Sequence, residues 1–160
     1  MVNRGGELTS LRDALLWVGE DTFRRLAMTV LSVDVSGRQP KEVHRTILQR
    51  SRYCELMAFE VNCDGNELYV FGMLSVLAPL LRLGIEDLSR MIRLRDELRD
   101  AIFDREANLY GTLLSCAESF QQADWRSVGA NARELGIAET VVFERSWAAQ
   151  RWADRVISSL

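Results

Sequence analysis

Few residues of this chain could carry chemistry, and their spacing works against it. There is one histidine, His44. A Cys-His pair would need Cys54, Cys63 or Cys116 beside it, and only Cys54 lies in the same helical stretch, about 15 Å further along the axis. Without His44 no Ser-His-Asp set can be assembled, and Gly5-Gly6 is too short to cradle a phosphate. A metal site made of carboxylates would have to draw on residues such as Glu55, Asp64 or Asp104. The densest polar string is Arg50, Arg52, Tyr53 and Glu55, in which Arg52 and Glu55 are spaced to pair on one helix face. Such a pair either braces a helix against its neighbours or lines a pocket that binds a ligand or a partner, and spacing leaves both open.

The elements that must position these residues read as helical throughout. Ser10 and Asp13 form a capping-box pattern opening a first helix that ends at Gly19. A second begins near Asp21, with Phe23, Leu26, Ala27, Val30 and Leu31 on one face; its tail, TVLSVDV, is β-branched enough for a short extended piece. Pro40 suits the first turn of a helix over residues 41–61, which the turn cluster from Asn62 to Asn66 closes. Glu67 then starts the charge-free run LYVFGMLSVLAPLL, residues 68–81. Apolar on nearly every side, it is the expected central buried helix, kinked or ended by Pro79.

Short helices over 85–91 and 96–105 carry most of the paired charges. Asn108 opens another to about 123, Asp124 caps the next and Gly136 closes it. The last spans about 138–158, with Val141, Ala148, Trp152 and Val156 on one stripe. Core packing is the default for Trp17, Trp125, Trp147 and Trp152, and Trp147, off that stripe, is the one expected at the surface. No strand pair, fixed repeat or linker is visible. The expectation is one all-α domain over residues 1–160, a bundle of about eight or nine helices.

Composition narrows the function classes. At 160 residues and 48% apolar, the chain can bury a core without disulfides, and three cysteines without Cys-x-x-Cys spacing fit reduced thiols in a cytoplasm. The N-terminus lacks the apolar core of a signal peptide, and the longest uncharged run is shorter than the roughly 20 residues that span a bilayer. The 20 basic and 23 acidic residues alternate, as in the stretch from Arg93 to Glu106, which is a solvated, ion-paired face and not a basic stripe. Neither nucleic acid nor membrane is an expected partner.

The central run resembles the metal-binding helix of phosphohydrolases of the HD superfamily, with the His-Asp pair gone. Where that helix reads Gly-Leu-Leu-His-Asp-Ile-Gly, this chain has Gly72, Met73, Leu74, Ser75, Val76, Leu77 and Ala78. With CELMA matched to the end of the preceding helix, the position of the first metal-binding histidine falls on Thr46. His44, two residues earlier, would then point away. TSLRDALLWVGEDTFRRLA (9–27) and RSRYCELMA (50–58) are similar to the HDOD domain, in the version found C-terminal to EAL domains in bacterial cyclic-di-GMP signalling proteins. The likeness covers nearly the whole chain, although HDOD domains carry several more helices before the stretch that starts here at Thr9. The resemblance thus implies an N-terminally truncated domain, or one completed by a partner chain.

That resemblance implies an HD-like helical bundle without enzymatic activity, metal or cofactor, Thr46, Ser75 and Val76 standing where ligands would be. It implies a signalling module acting through protein contact, with an EAL phosphodiesterase-like domain as partner and Arg50, Arg52, Tyr53 and Glu55 as the residues that bind partner or ligand. Two alternatives remain: a divergent metal-dependent phosphohydrolase, and a small-molecule sensor using the vacated pocket. A cavity lined by Thr46, Arg50 and Ser75 would favour the sensor, and filling by Phe71, Val76 and Leu77 would oppose it. If the missing helices leave Leu11, Leu15, Val18, Phe23, Leu26 and Val30 uncovered, the chain should pair through them as a homo-oligomer, most simply a two-fold dimer.

Overall fold

A computed structural model describes residues 40–159 together with Gly19. The described residues form seven helices and no strand: α1 (Pro40–Leu56), α2 (Gly65–Leu80), α3 (Ile85–Met91), α4 (Asp96–Phe103), α5 (Leu109–Gln121), α6 (Trp125–Leu135) and α7 (Glu139–Ser158). This is an all-α bundle. The two expected N-terminal helices, the extended piece near TVLSVDV, Trp17 and the apolar patch from Leu11 to Val30 lie outside the described residues.

Helix boundaries follow local chemistry closely. Asp64, Asn108 and Asp124 each accept a backbone N–H at the start of α2, α5 and α6, and Gly136 stops α6 in the left-handed conformation, φ 69°. α1 is shorter than its apolar pattern suggests. Beyond Leu56 the chain tightens, with Met57 N–H reaching Cys54 O and Ala58 N–H reaching Glu55 O, and it closes at Asn62, φ 51°. Pro79 is accommodated in the last turn of α2, where the helix stops one residue later as Arg82 turns left-handed at φ 54°.

α2 is the axis of the bundle, with α1 packed along it and α4 against it, while α7 covers the far side of α1. Its charge-free run fills the core: Leu68, Val70, Phe71, Leu74 and Ala78 have no exposed surface. The stripe of α7 is displaced from the expected one. Val142, Ser146, Ala149, Trp152 and Ala153 are buried, whereas Val141, Ala148 and Val156 are half-buried. The helix is rotated so that small residues meet α1, and Trp152 alone is common to both readings. Trp147 is at the surface, as expected, but so is Trp125, and the two join Phe120 and Phe143 in one aromatic cluster.

Candidate functional site

α1 and α2 touch at Gly72, where a Cβ would lie 2.6 Å from the Arg50 carbonyl oxygen and 2.9 Å from Ser51 Cα. Only glycine permits this approach, and it brings Arg50 over the next turn of α2. There Arg50 Nη1 donates to Ser75 Oγ at 3.4 Å and to Glu118 Oε1 at 3.1 Å, while Nη2 donates to Gln121 Oε1 at 2.7 Å. A second glycine does the same for a second arginine. Gly111 of α5 packs directly against the backbone of Arg105, whose Nη2 donates to Glu118 Oε1 at 2.8 Å. Arg105 Nη1 donates to the carbonyls of Ala101 (2.7 Å) and Ile102 (2.6 Å), pinning the side chain to the end of α4.

Two guanidinium groups therefore share one carboxylate at the edge of a cavity of about 270 Å³. Its lining is polar at Arg50, Arg105, Glu118, Thr46 and Ser75 and apolar at Val43, Val76, Pro79 and Leu80. Thr46, Ser75 and Val76, the positions aligned with HD metal ligands, do converge on one space, and His44 does not line it. Phe71 and Leu77 are in the core and leave the space open. Both hydroxyl protons are committed, Thr46 to Glu42 O and Ser75 to Gly72 O. Burial lowers the Arg50 pKa, the Glu118 carboxylate opposing that effect.

The other residues of the polar string face elsewhere. Arg52 pairs with Glu55 at 2.7 Å on α1, and its guanidinium lies 5.6 Å from the Trp152 ring centre on α7. Tyr53 is 1% exposed, and burial holds its phenol well above the usual range. Its hydroxyl, Ser146 Oγ and Arg50 Nε have no oxygen or nitrogen partner, and all three residues line a void of about 10 Å³, room for a single bridging water. The string thus divides: Arg50 belongs to the cavity, Tyr53 is buried, and Arg52, paired with Glu55, reaches Trp152 of α7.

Sequence reasoning missed Arg105 and Glu118, which line the cavity, and Gln121, which holds Arg50. Arg105 reads as part of a solvated charge run, and one signal pointed to Glu118: it is the only charged residue of α5. The carboxylates considered for a metal are dispersed into other work. Glu55 pairs with Arg52, Asp64 caps α2 and Asp104 accepts Glu106 N–H. Among the described residues no group of three or more His, Cys, Asp or Glu could hold a metal ion. No helix among them is long and apolar enough to cross a membrane.

A second arginine–carboxylate pair lies at the other end of α2. Arg95 Nε donates to both oxygens of Glu67, at 3.1 and 3.0 Å, and its Nη2 contacts Cys63 Sγ. Cys54 and Cys116 are buried free thiols, and Cys63 is half-buried.

Two curated proteins are similar to this chain. CdgJ of Vibrio cholerae serotype O1 (strain ATCC 39315 / El Tor Inaba N16961), named a cyclic di-GMP phosphodiesterase, is 34% identical over 151 residues, 93% of this chain and 35% of CdgJ. YuxH of Bacillus subtilis (strain 168) is 22% identical over 157 residues, 96% of this chain and 38% of YuxH. The chain spans little more than a third of the length of the relatives it matches. No family model and no solved structure matches.

Proposed function

We propose that this chain is a non-catalytic signalling module of the HDOD type, acting in a cyclic-di-GMP pathway through contact with an EAL phosphodiesterase-like partner. The observation that carries the reading is the cavity at Thr46, Ser75 and Val76. A cavity lies there, yet a valine and two hydroxyls already bonded to backbone offer a metal neither imidazole nor carboxylate. The likeness to CdgJ supports the pathway, and the chain itself contains no Glu-Ala-Leu motif.

The test has two arms. The purified chain should carry no stoichiometric metal and hydrolyse neither cyclic di-GMP, nucleotides nor phosphomonoesters; about one Fe, Mn or Zn per chain together with turnover would establish the rival phosphohydrolase. Added to an EAL-type phosphodiesterase from the same organism, it should bind and change the rate of cyclic-di-GMP hydrolysis. An unchanged rate and no binding would remove the partner.

The open cavity favours a second reading, in which the module responds to a small molecule. Its volume of about 270 Å³ is near the lower end of small-molecule pockets, about 300–1,000 Å³. In that reading the occupant alters how α1 and α2 are presented to the partner.

A further inference from the structure

We infer that the cavity between α1, α2 and α5 takes a small anion with an apolar body, a carboxylate or a phosphate monoester. This deepens the sensor reading and rests on it.

The first argument is charge. Arg50 and Arg105 face a single carboxylate, Glu118, so one positive charge among the lining residues has no counterion among the described residues. Arg50 is the costlier of the two, with a side chain only 11% exposed and a pKa that burial lowers. An anion in the cavity would supply the missing counterion beside the mostly buried Arg50 guanidinium, a charge-assisted contact.

The second argument is the supply of donors. A guanidinium has five N–H groups. Arg105 spends four, two on α4 carbonyls and two on Glu118, which leaves one on Nη2. Arg50 spends three, on Ser75, Glu118 and Gln121, which leaves one on Nη2, since its Nε–H is buried at the small void beside Tyr53 and Ser146. Thr46 and Ser75 have already given their protons to backbone carbonyls. The unused donors of this lining thus belong to guanidinium groups, which suit planar carboxylate or phosphate oxygens.

The third argument is shape. Val43, Val76, Pro79 and Leu80 give the cavity an apolar lining that a hydrated inorganic ion would leave unfilled, so the anion should carry a short hydrocarbon or aromatic body. A cyclic dinucleotide, with two purines, exceeds the space. The occupant is therefore chemically distinct from the dinucleotide of the proposed pathway.

The experiment uses the full chain and four probes: hexanoate, phenyl phosphate, neutral hexan-1-ol and cationic hexylammonium. Binding is read by calorimetry and by the rise in thermal midpoint, and nuclear Overhauser contacts to the Val43 and Val76 methyls locate the probe. At least one anionic probe should bind tenfold or more tightly than hexanol, with hexylammonium excluded, and whether hexanoate or phenyl phosphate is preferred identifies the head group. Arg50→Gln should erase the preference. Should that variant fail to fold, Thr46→Trp, which fills the cavity from a half-buried position, should abolish binding while Thr46→Ser retains it. Equal binding of hexanol and hexanoate, lost in Thr46→Trp, would overturn the anion inference and leave the sensor reading standing. Binding of no probe would overturn both.

Discussion

Arg50 and Arg105 share Glu118 beside Cys54, whereas Arg95 has Glu67 to itself beside Cys63. The residue types are the same and the electrostatics are not. At the Arg95 site, burial works against the cation, but the hydrogen bond to Glu67 and the electrostatic pull of Cys63 and Glu67 outweigh it, and the arginine pKa rises. At the Arg50 site desolvation prevails and the pKa falls, because half a carboxylate does not compensate a guanidinium that is largely out of water. The first arrangement ties the start of α4 to α2 and is complete. The second lies on a cavity and is short of one anion. A salt bridge is a brace where charges balance and a binding determinant where they do not.

The largest effect that separates the two sites should come from neutralising each carboxylate. Glu118→Gln leaves two cations without a counterion, one of them mostly buried, and should cost about 3 kcal/mol or more of unfolding free energy. Glu67→Gln frees Arg95, whose side chain is 46% exposed and can turn to water, so its loss should be about 1 kcal/mol. Urea denaturation of both variants measures the difference. Equal losses would mean that the sharing of Glu118 has no energetic consequence.

Much of this is legible in the sequence. Asp64, Asn108, Asp124 and Gly136 announced helix ends because capping is local chemistry, and the charge-free run of α2 announced the core. The convergence of Thr46 and Ser75 followed from a family resemblance, not from spacing. What stayed hidden was the pairing of Arg50 with Glu118 and Gln121, sixty-eight and seventy-one positions away, since sequence carries no record of which distant charges meet. Arg105 was misjudged for a related reason. It lies near the end of an alternating charge run that looks solvated, yet the packing of its backbone on Gly111 turns its side chain inward, to 26% exposure. The rotation of α7 was missed because Ala148 and Ala149 are equally apolar, and only the contact with α1 chooses between them.

An intermediate effect tests how the Arg50 site is held. Gly72→Ala would place a methyl against the Arg50 carbonyl and Ser51 Cα, backbone atoms that cannot swing aside, and should cost about 1–3 kcal/mol. Separating α1 from α2 should also lengthen the Arg50–Ser75 contact, so anionic probes should bind more weakly. Gly84→Ala, at the start of α3, meets only the Asp87 carboxylate at 3.5 Å and should change stability by a few tenths of a kcal/mol. Thermal unfolding of the two variants, with hexanoate titrated into each, measures both quantities. If Gly72→Ala is as stable and as competent as Gly84→Ala, close helix approach is not what builds the site.

The smallest effect concerns the two cysteines and appears only at alkaline pH. Arg50 and Arg105 favour the Cys54 thiolate, but the thiol is fully buried, and burial pushes it up to about 12 from an ordinary 9.0. Between those values the unfolded chain has released the proton and the folded chain still holds it, so folding stability falls as pH rises. The contribution is intact below pH 9.0 and is lost as the pH climbs through about 12. One such proton gives a slope of at most about 1.4 kcal/mol per pH unit. Cys54→Ala should remove that part of the slope, leaving what the buried Tyr53 and Tyr69 phenols, also shifted upward by burial, contribute. Cys63 is shifted in the same direction but is only half-buried, so Cys63→Ala should leave the slope nearly as it was. Urea unfolding between about pH 8.5 and 10.5 compares them. A slope that Cys63→Ala flattens as much as Cys54→Ala would show that water reaches both thiols alike, and a wetted Arg50 site would lose the desolvation that makes its missing counterion costly.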